Sequence, residues 1–168
     1  MSLSMYRASV PVFMRMLNNL SAILDKAVAH AEARKFDPTV LLTARLFPDM
    51  FALARQIQLA TDFAKGASAR LASVDVPKYE DTEASFAELQ ARIRKTIAFL
   101  QSLRPEQFHG SEERDISLTV AGSPMAFKGM PYLLHYAMPN FYFHVTTAYD
   151  ILRHNGVEIG KRDFVGAA

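Results

Sequence analysis

The sequence contains no cysteine, which removes disulfide scaffolds, thiolate zinc sites and cysteine nucleophiles from consideration. An excess of charge of one sign is also missing, since 19 basic against 17 acidic side chains leave a formal net charge of +2. No basic cluster with interleaved aromatics appears, so nucleic acid is not an expected partner. No apolar run approaches the roughly 18–20 residues that a membrane-spanning helix needs. The N-terminal segment Met1-Ser-Leu-Ser-Met-Tyr-Arg7 lacks the basic-then-apolar order of a secretory signal. His-Glu-x-x-His, glycine-rich phosphate loops, nucleophile elbows and EF-hand loops are absent as well. These gaps lead to the expectation of a soluble, cytoplasmic protein with no membrane partner.

What is present is ordinary globular material. Of 168 residues, 50% are hydrophobic and 21% charged, which excludes disorder as the main state. A chain of this length fits one domain, residues 1–168, burying roughly 70% of its unfolded surface. Four helices are expected. In the first, Val10, Phe13, Met14, Leu17, Leu20, Leu24 and Val28 make one apolar stripe, with Pro11 as a first-turn residue or a kink. The stripe fades through residues 32–35, and Asp37-Pro38 punctuates a short connection. The second helix is expected to start after Pro48 and run to about Arg70, on a seam of Met50, Leu53, Ile57, Ala60 and Ala64.

Pro77 disfavours helix at Val76, so the chain is extended before the third helix. Asp81 or Thr82 can cap that helix, and Ser85-x-x-Glu88 resembles a capping box. Its stripe is Phe86, Leu89, Ile93, Ile97, Leu100 and Leu103, and Arg104-Pro105 ends it. Ile116-Ser-Leu-Thr-Val120 alternates apolar and polar ahead of Gly122 and Met125-Ala-Phe127, which predicts a small β-hairpin. The last helix begins near Met130 or Pro131, or else at Pro139, and stops at Asn155-Gly156. Residues 157–168 read as irregular. Such a pattern favours an antiparallel-type bundle, and the longer connections, roughly 71–81 and 104–130, leave room for a crossover.

His144 stands out within the last helix. At 100° per residue, Phe141, Ala148 and Ile151 lie within about 60° of it. Asn140 lies at about 40°, Thr147 at about 60° and Tyr136 at about 80°, giving a partly polar strip on an apolar face. A histidine so placed is either a ligand or general base facing a cleft, or a core histidine satisfied by one neighbour. In the second helix Arg55, Gln58, Asp62 and Lys65 share an arc of about 80° opposite the apolar seam. That arc is either a solvated face or, because Phe51 and Leu59 border it, a second packed face with paired charges. The remaining histidines carry less: His30 at the frayed end of the first helix, His109 in a loop, His135 opposite His144, and His154 in the last turn. Glu112-Glu113-Arg114-Asp115 reads as a solvated charge run.

Two blocks carry a resemblance. One is Leu46-Phe-Pro-Asp-Met-Phe-Ala-Leu-Ala-Arg-Gln-Ile-Gln-Leu-Ala-Thr-Asp62-Phe-Ala-Lys-Gly-Ala67. The other is Pro139-Asn-Phe-Tyr-Phe-His144-Val-Thr-Thr-Ala-Tyr-Asp-Ile-Leu-Arg-His-Asn-Gly156-Val-Glu-Ile-Gly-Lys-Arg-Asp-Phe164. Over essentially the whole chain the sequence resembles a bacterial family catalogued as domain of unknown function 1993. That family is similar in fold to the DinB/YfiT-like metalloenzyme superfamily. The resemblance implies an all-α four-helix bundle with a small β-hairpin between helices 3 and 4, commonly found as a homodimer. The natural dimer face would be an exposed apolar strip on the first or third helix.

In that superfamily one histidine on the second helix and a His-x-x-x-His pair on the fourth bind a divalent metal. Here His144 precedes Gly156 by twelve positions and matches the final ligand, Asn140 replaces its partner, and the second-helix position falls near Asp62. The metal ligands so implied are Asp62 and His144, holding nickel, zinc or manganese. An amide oxygen is a poor zinc ligand, so the set is weaker than three imidazoles. Two functions follow. One is a metal-assisted small-molecule hydrolase or transferase, with Arg55 and Tyr136 orienting an anionic substrate and Gln58, Asn140 and Thr147 lining the cleft. The other is a non-catalytic small-ligand-binding or stress-response module with a degenerate, metal-free site.

Overall fold

A computed structural model describes residues 3–120 and 122–166. Helix α1 spans Met5–Arg34; Ser4 caps it by accepting from the Arg7 amide, and Lys35 ends it in the left-handed region. Its apolar stripe is fully buried at Val10, Phe13, Leu17, Leu20 and Leu24. Pro11 lies within the helix, past the first turn, and its exposed position leaves the buried stripe intact. His30 is inside α1, not at a frayed end, and packs edge-on against Phe36.

The connection to the second long helix is more structured than Asp37-Pro38 suggests. A short helix α2, Thr39–Leu42, intervenes, followed by a loop whose Ala44 carbonyl accepts from the Leu53 amide. Helix α3 is therefore Leu53–Ala72 and starts five residues beyond Pro48. Helix α4 is Phe86–Ser102. Its N-cap is Ser85 rather than Asp81 or Thr82: Ser85 Oγ accepts from the Glu88 amide at 3.2 Å, and Glu88 returns by accepting from the Ala84 amide at 2.7 Å. Asp81 is turned instead to arginine side chains.

Two 3₁₀ turns, Pro105–Phe108 and Ser111–Glu113, lead into the hairpin. Strands β1, Asp115–Val120, and β2, Ser123–Lys128, pair antiparallel with Leu118 opposite Met125. The charge run ahead of β1 is not wholly solvated. Arg114 is half-buried and donates to the Leu71 carbonyl, whereas Glu113 and Asp115 stay exposed, Asp115 pairing with Lys128 at the surface at 2.7 Å. Gly129 follows, where a Cβ would come within 1.8 Å of the Ser111 carbonyl oxygen, so only glycine fits this crossing.

From Gly129 the chain stays helical to His154, through α5 (Gly129–Tyr132), a π turn (Leu133–Ala137) and α6 (Met138–His154). Both expected starting points thus belong to one run. The π turn ends two residues before Pro139, which has no N–H to give and crowds the carbonyl one turn back; the wider turn accommodates it. Residues 157–160 are irregular as expected, but the segment after them is not. Helix α7, Lys161–Val165, lies on α1 through Lys26–Asp163 at 2.6 Å, Asn19 Nδ2 to the Phe164 carbonyl at 2.9 Å, and Arg15 to the Val165 carbonyl. The remaining two positions, 167 and 168, lie outside the described residues.

The long helices pack in the ring α1–α4–α3–α6, with α1 closing onto α6. Ring neighbours are not always chain neighbours, so 35–52 and 103–128 are the crossing connections, while 73–85 joins adjacent helices. Phe13 of α1 meets Phe141 of α6 edge-on at 4.8 Å in the core, a contact worth about 0.5–1.5 kcal/mol beyond burial. Among the described residues no helix is long and apolar enough to cross a membrane. Most of the large exposed apolar side chains sit on residues 40–51 and on 125–143, with Leu3 and Val165 besides, and none belongs to α1 or α4. No exposed apolar strip of the expected kind lies on the first or third long helix, because their stripes are buried, with only Met14, Val28 and Ile97 partly exposed.

Candidate functional site

The charged arc of α3 is a packed face. Arg92 of α4, only 2% exposed as a side chain, sits at its centre. Its Nε donates to Thr61 Oγ1 at 2.7 Å, Nη2 to Asp62 Oδ1 at 2.8 Å, and Nη1 to Glu83 Oε1 and the Glu80 carbonyl at 3.0 Å each. Asp81 lies 3.0 Å from the same Nη1. Around this core Lys65 pairs with Asp62 at 2.8 Å, Arg55 pairs with Asp81, and Gln58 donates to Glu83 at 2.9 Å. Tyr79 presents its ring to Lys65, Arg92 and Lys95 at 4.3–5.3 Å. The connection 73–85 has no regular structure, and these bonds strap it onto α3 and α4.

His144 is buried, at 7% exposure. Its Nδ1 lies 2.7 Å from Gln56 Oε1, and Gln56 Nε2 donates to the Phe51 carbonyl at 3.1 Å. That second bond fixes the amide: its oxygen faces the histidine, an oxygen can only accept, and Nδ1 therefore carries the proton. Burial, helped by the nearby Arg55 charge, lowers the imidazole pKa to about 4. The ring is neutral at physiological pH, with Nε2 as a lone-pair nitrogen. It stacks on Phe63 at 5.6 Å and meets Phe143 edge-on.

Beyond Phe63 an open cleft of about 460 Å³ lies between α3, β1 and the α5–π segment. Arg55, Asp62, Phe63, Arg70, Leu118 and Tyr132 are among the residues on its wall, with Tyr136 opposite Phe63 at 5.9 Å. Tyr132 and Tyr136 on this wall form a mutual aromatic cluster with Phe127. Arg55 and Asp62 on this wall have their charges matched by Asp81 and by Lys65 and Arg92. Arg70 differs: it donates to the Tyr132 hydroxyl at 3.2 Å, and no carboxylate of the described residues lies within ion-pair distance.

The residues singled out from the sequence therefore separate. Arg55, Asp62 and Tyr136 reach the cleft; Gln58 is buried against Glu83. His144 stands behind Phe63, off the cleft wall. Asn140 Nδ2 donates to the Tyr136 carbonyl at 2.7 Å and Thr147 Oγ1 to the Phe143 carbonyl at 2.7 Å, so both serve their own helix. Gln56, Arg70, Arg92 and Tyr132 were not legible as site residues. Gln56 had one signal, a lone amide with Leu53, Ala60 and Phe63 at helical spacings around it, and Arg92 had another, a charge between Leu89 and Thr96 beside the apolar stripe.

The sequence matches the family described as domain of unknown function (DUF1993) over residues 5–165. The chain belongs to that family. No curated protein matches the sequence. Among solved structures, a DinB family member protein from Shewanella denitrificans is 43% identical, with a TM-score of 0.91 over 97% of this chain and 92% of that one. The DUF1993 chain is thus DinB-like in sequence and in fold: a helical bundle with a small hairpin.

The divalent ion implied by that likeness can be tested against the donors present. Asp62 is engaged by two cations and Asn140 gives its Nδ2 to its own helix, which leaves the Nε2 of His144 as a lone nitrogen donor with no converging carboxylate. Among the described residues no group of three or more His, Asp or Glu side chains is placed to hold an ion. A chelated ion needs converging oxygen and nitrogen donors without competing cations. As arranged, this DUF1993 donor set does not fit one.

Proposed function

We propose that this DUF1993 protein is a non-catalytic small-molecule-binding module whose ligand sits in the cleft between α3, β1 and the α5–π segment, without a metal. One observation supports the reading above others. Of the residues matched to metal ligands, Asp62 is held by two cations and Asn140 by its own helix, while the adjoining wall keeps an arginine with no acidic partner beside aromatic surface. Small-molecule sites combine an apolar lining with a few placed polar groups in clefts of roughly this size. In this reading His144, Gln56 and Phe63 form the rigid backing of the cleft.

Two measurements test it. Elemental analysis of protein purified without an affinity tag should find only substoichiometric transition metal, unchanged by His144→Ala. A thermal-shift screen of small organic compounds should find ligands that raise Tm, since a ligand at a hundred times its Kd stabilises by about 2.7 kcal/mol. One equivalent of metal that disappears in His144→Ala would overturn the metal-free site, and a blank screen would overturn the binding module.

A further inference from the structure

Gly66 is an odd residue for the middle of a long helix, where it costs up to about 1 kcal/mol relative to alanine. Its surroundings explain it. A Cβ at Gly66 would lie 2.7 Å from Arg70 Nη1, one turn further along α3. The missing side chain is a seat: the guanidinium folds back over Gly66 and reaches the Tyr132 hydroxyl at 3.2 Å. A guanidinium only donates, so the phenol oxygen accepts. Among the described residues nothing accepts the phenol's own proton in return. Tyr132 is only 1% exposed, yet it lines the cleft, and burial raises its pKa, so the hydroxyl keeps that proton.

Two donor groups, one of them cationic, thus meet on one wall with unused N–H and O–H capacity. The only carboxylate on that wall, Asp62, is held by Lys65 and Arg92. We infer that the cleft binds an organic carboxylate with a flat apolar body, its oxygens taken by Arg70 and the Tyr132 hydroxyl and its body laid against Phe63, Tyr136 and Leu118. Gly66 is a positioning residue for Arg70. The inference rests on the binding-module reading and specifies its ligand class. Charge-assisted bonds from a fixed guanidinium suit an acceptor-only group such as a carboxylate.

The test uses three probes that share one ring: cinnamate, cinnamyl alcohol and cinnamylamine, titrated into the intact protein by calorimetry. Cinnamate should bind one to one and about tenfold more tightly than the alcohol, with the amine weakest. Arg70→Gln and Tyr132→Phe should reduce that preference. Gly66→Ala should reduce it too, although it keeps every charge, and Arg153→Gln, exposed on the last turn of α6 and off the cleft wall, should leave it nearly unchanged. If the alcohol binds wild type as tightly as cinnamate, or Arg70→Gln leaves the preference intact, the carboxylate inference falls while the binding module stands. If Gly66→Ala binds like wild type, its positioning role falls. Binding of none of the three overturns the inference, and the module falls with it only if the broad thermal-shift screen is also blank.

Discussion

Two arginines divide the polar interior of this bundle, and their surroundings are opposite. Arg92 is enclosed by Thr61, Asp62, Asp81, Glu83 and a carbonyl, so its donors are met by the protein itself. Arg70, on the neighbouring helix, has one neutral partner and faces an open cleft. Residue type is the same in both places. What differs is whether the fold supplies the counter-charge, and that decides whether a cation holds the structure together or waits for something else.

The comparison breaks most visibly if Arg92 is removed. Arg92→Leu leaves Asp62, Asp81 and Glu83 facing one another without their shared cation, and loosens the 73–85 strap. Removing one partner of a buried ion cluster costs 3–5 kcal/mol; these carboxylates keep 12–38% exposure, so we expect about 2–4 kcal/mol by denaturant unfolding. Next in size is the pH dependence carried by His144. Its folded pKa of about 4 lies below the unfolded value of 6.5, so the unfolded chain binds more protons between them. Stability is full above pH 6.5 and falls towards pH 4 by about 2–3 kcal/mol. His144→Gln should flatten that slope, and an unchanged slope would refute the assignment.

Asp62→Asn should cost about 1–2 kcal/mol by unsettling Lys65 and Arg92, an effect discounted because Asp62 is 31% exposed. Gly66→Ala should go the other way and raise stability by up to about 1 kcal/mol. The smallest effect sharpens the contrast most: Arg70→Gln should change stability by less than about 0.5 kcal/mol. A loss from Arg70→Gln as large as that from Arg92→Leu would erase the distinction between the two arginines.

Much of this was legible in the sequence because it rests on local rules. The stripes of α1 and α4, the Ser85–Glu88 cap and the alternation around Leu118 follow from short-range periodicity and capping chemistry. What escaped depends on contacts made across the ring. The start of α3 moved because the Ala44 carbonyl takes the Leu53 amide. Part of the tail, 161–165, is helix α7 because α1 supplies Lys26, Asn19 and Arg15 to hold it. His144 was correctly read as buried on an apolar face, but its partner, Gln56, is 88 positions away, and no helical wheel pairs residues on different helices. Asp62 and His144 lie on the two helices that the resemblance names, yet their side chains answer to Arg92 and Gln56.

The aromatic cluster at the cleft has a practical side. The protein has six tyrosines and no tryptophan, so its near-ultraviolet emission is dominated by phenol rings. Two of those rings, Tyr132 and Tyr136, stack at 5.9 Å on the cleft wall itself. Anything that settles against them in the cleft changes a sizeable share of the total signal, so the cleft carries its own optical reporter and needs no attached dye.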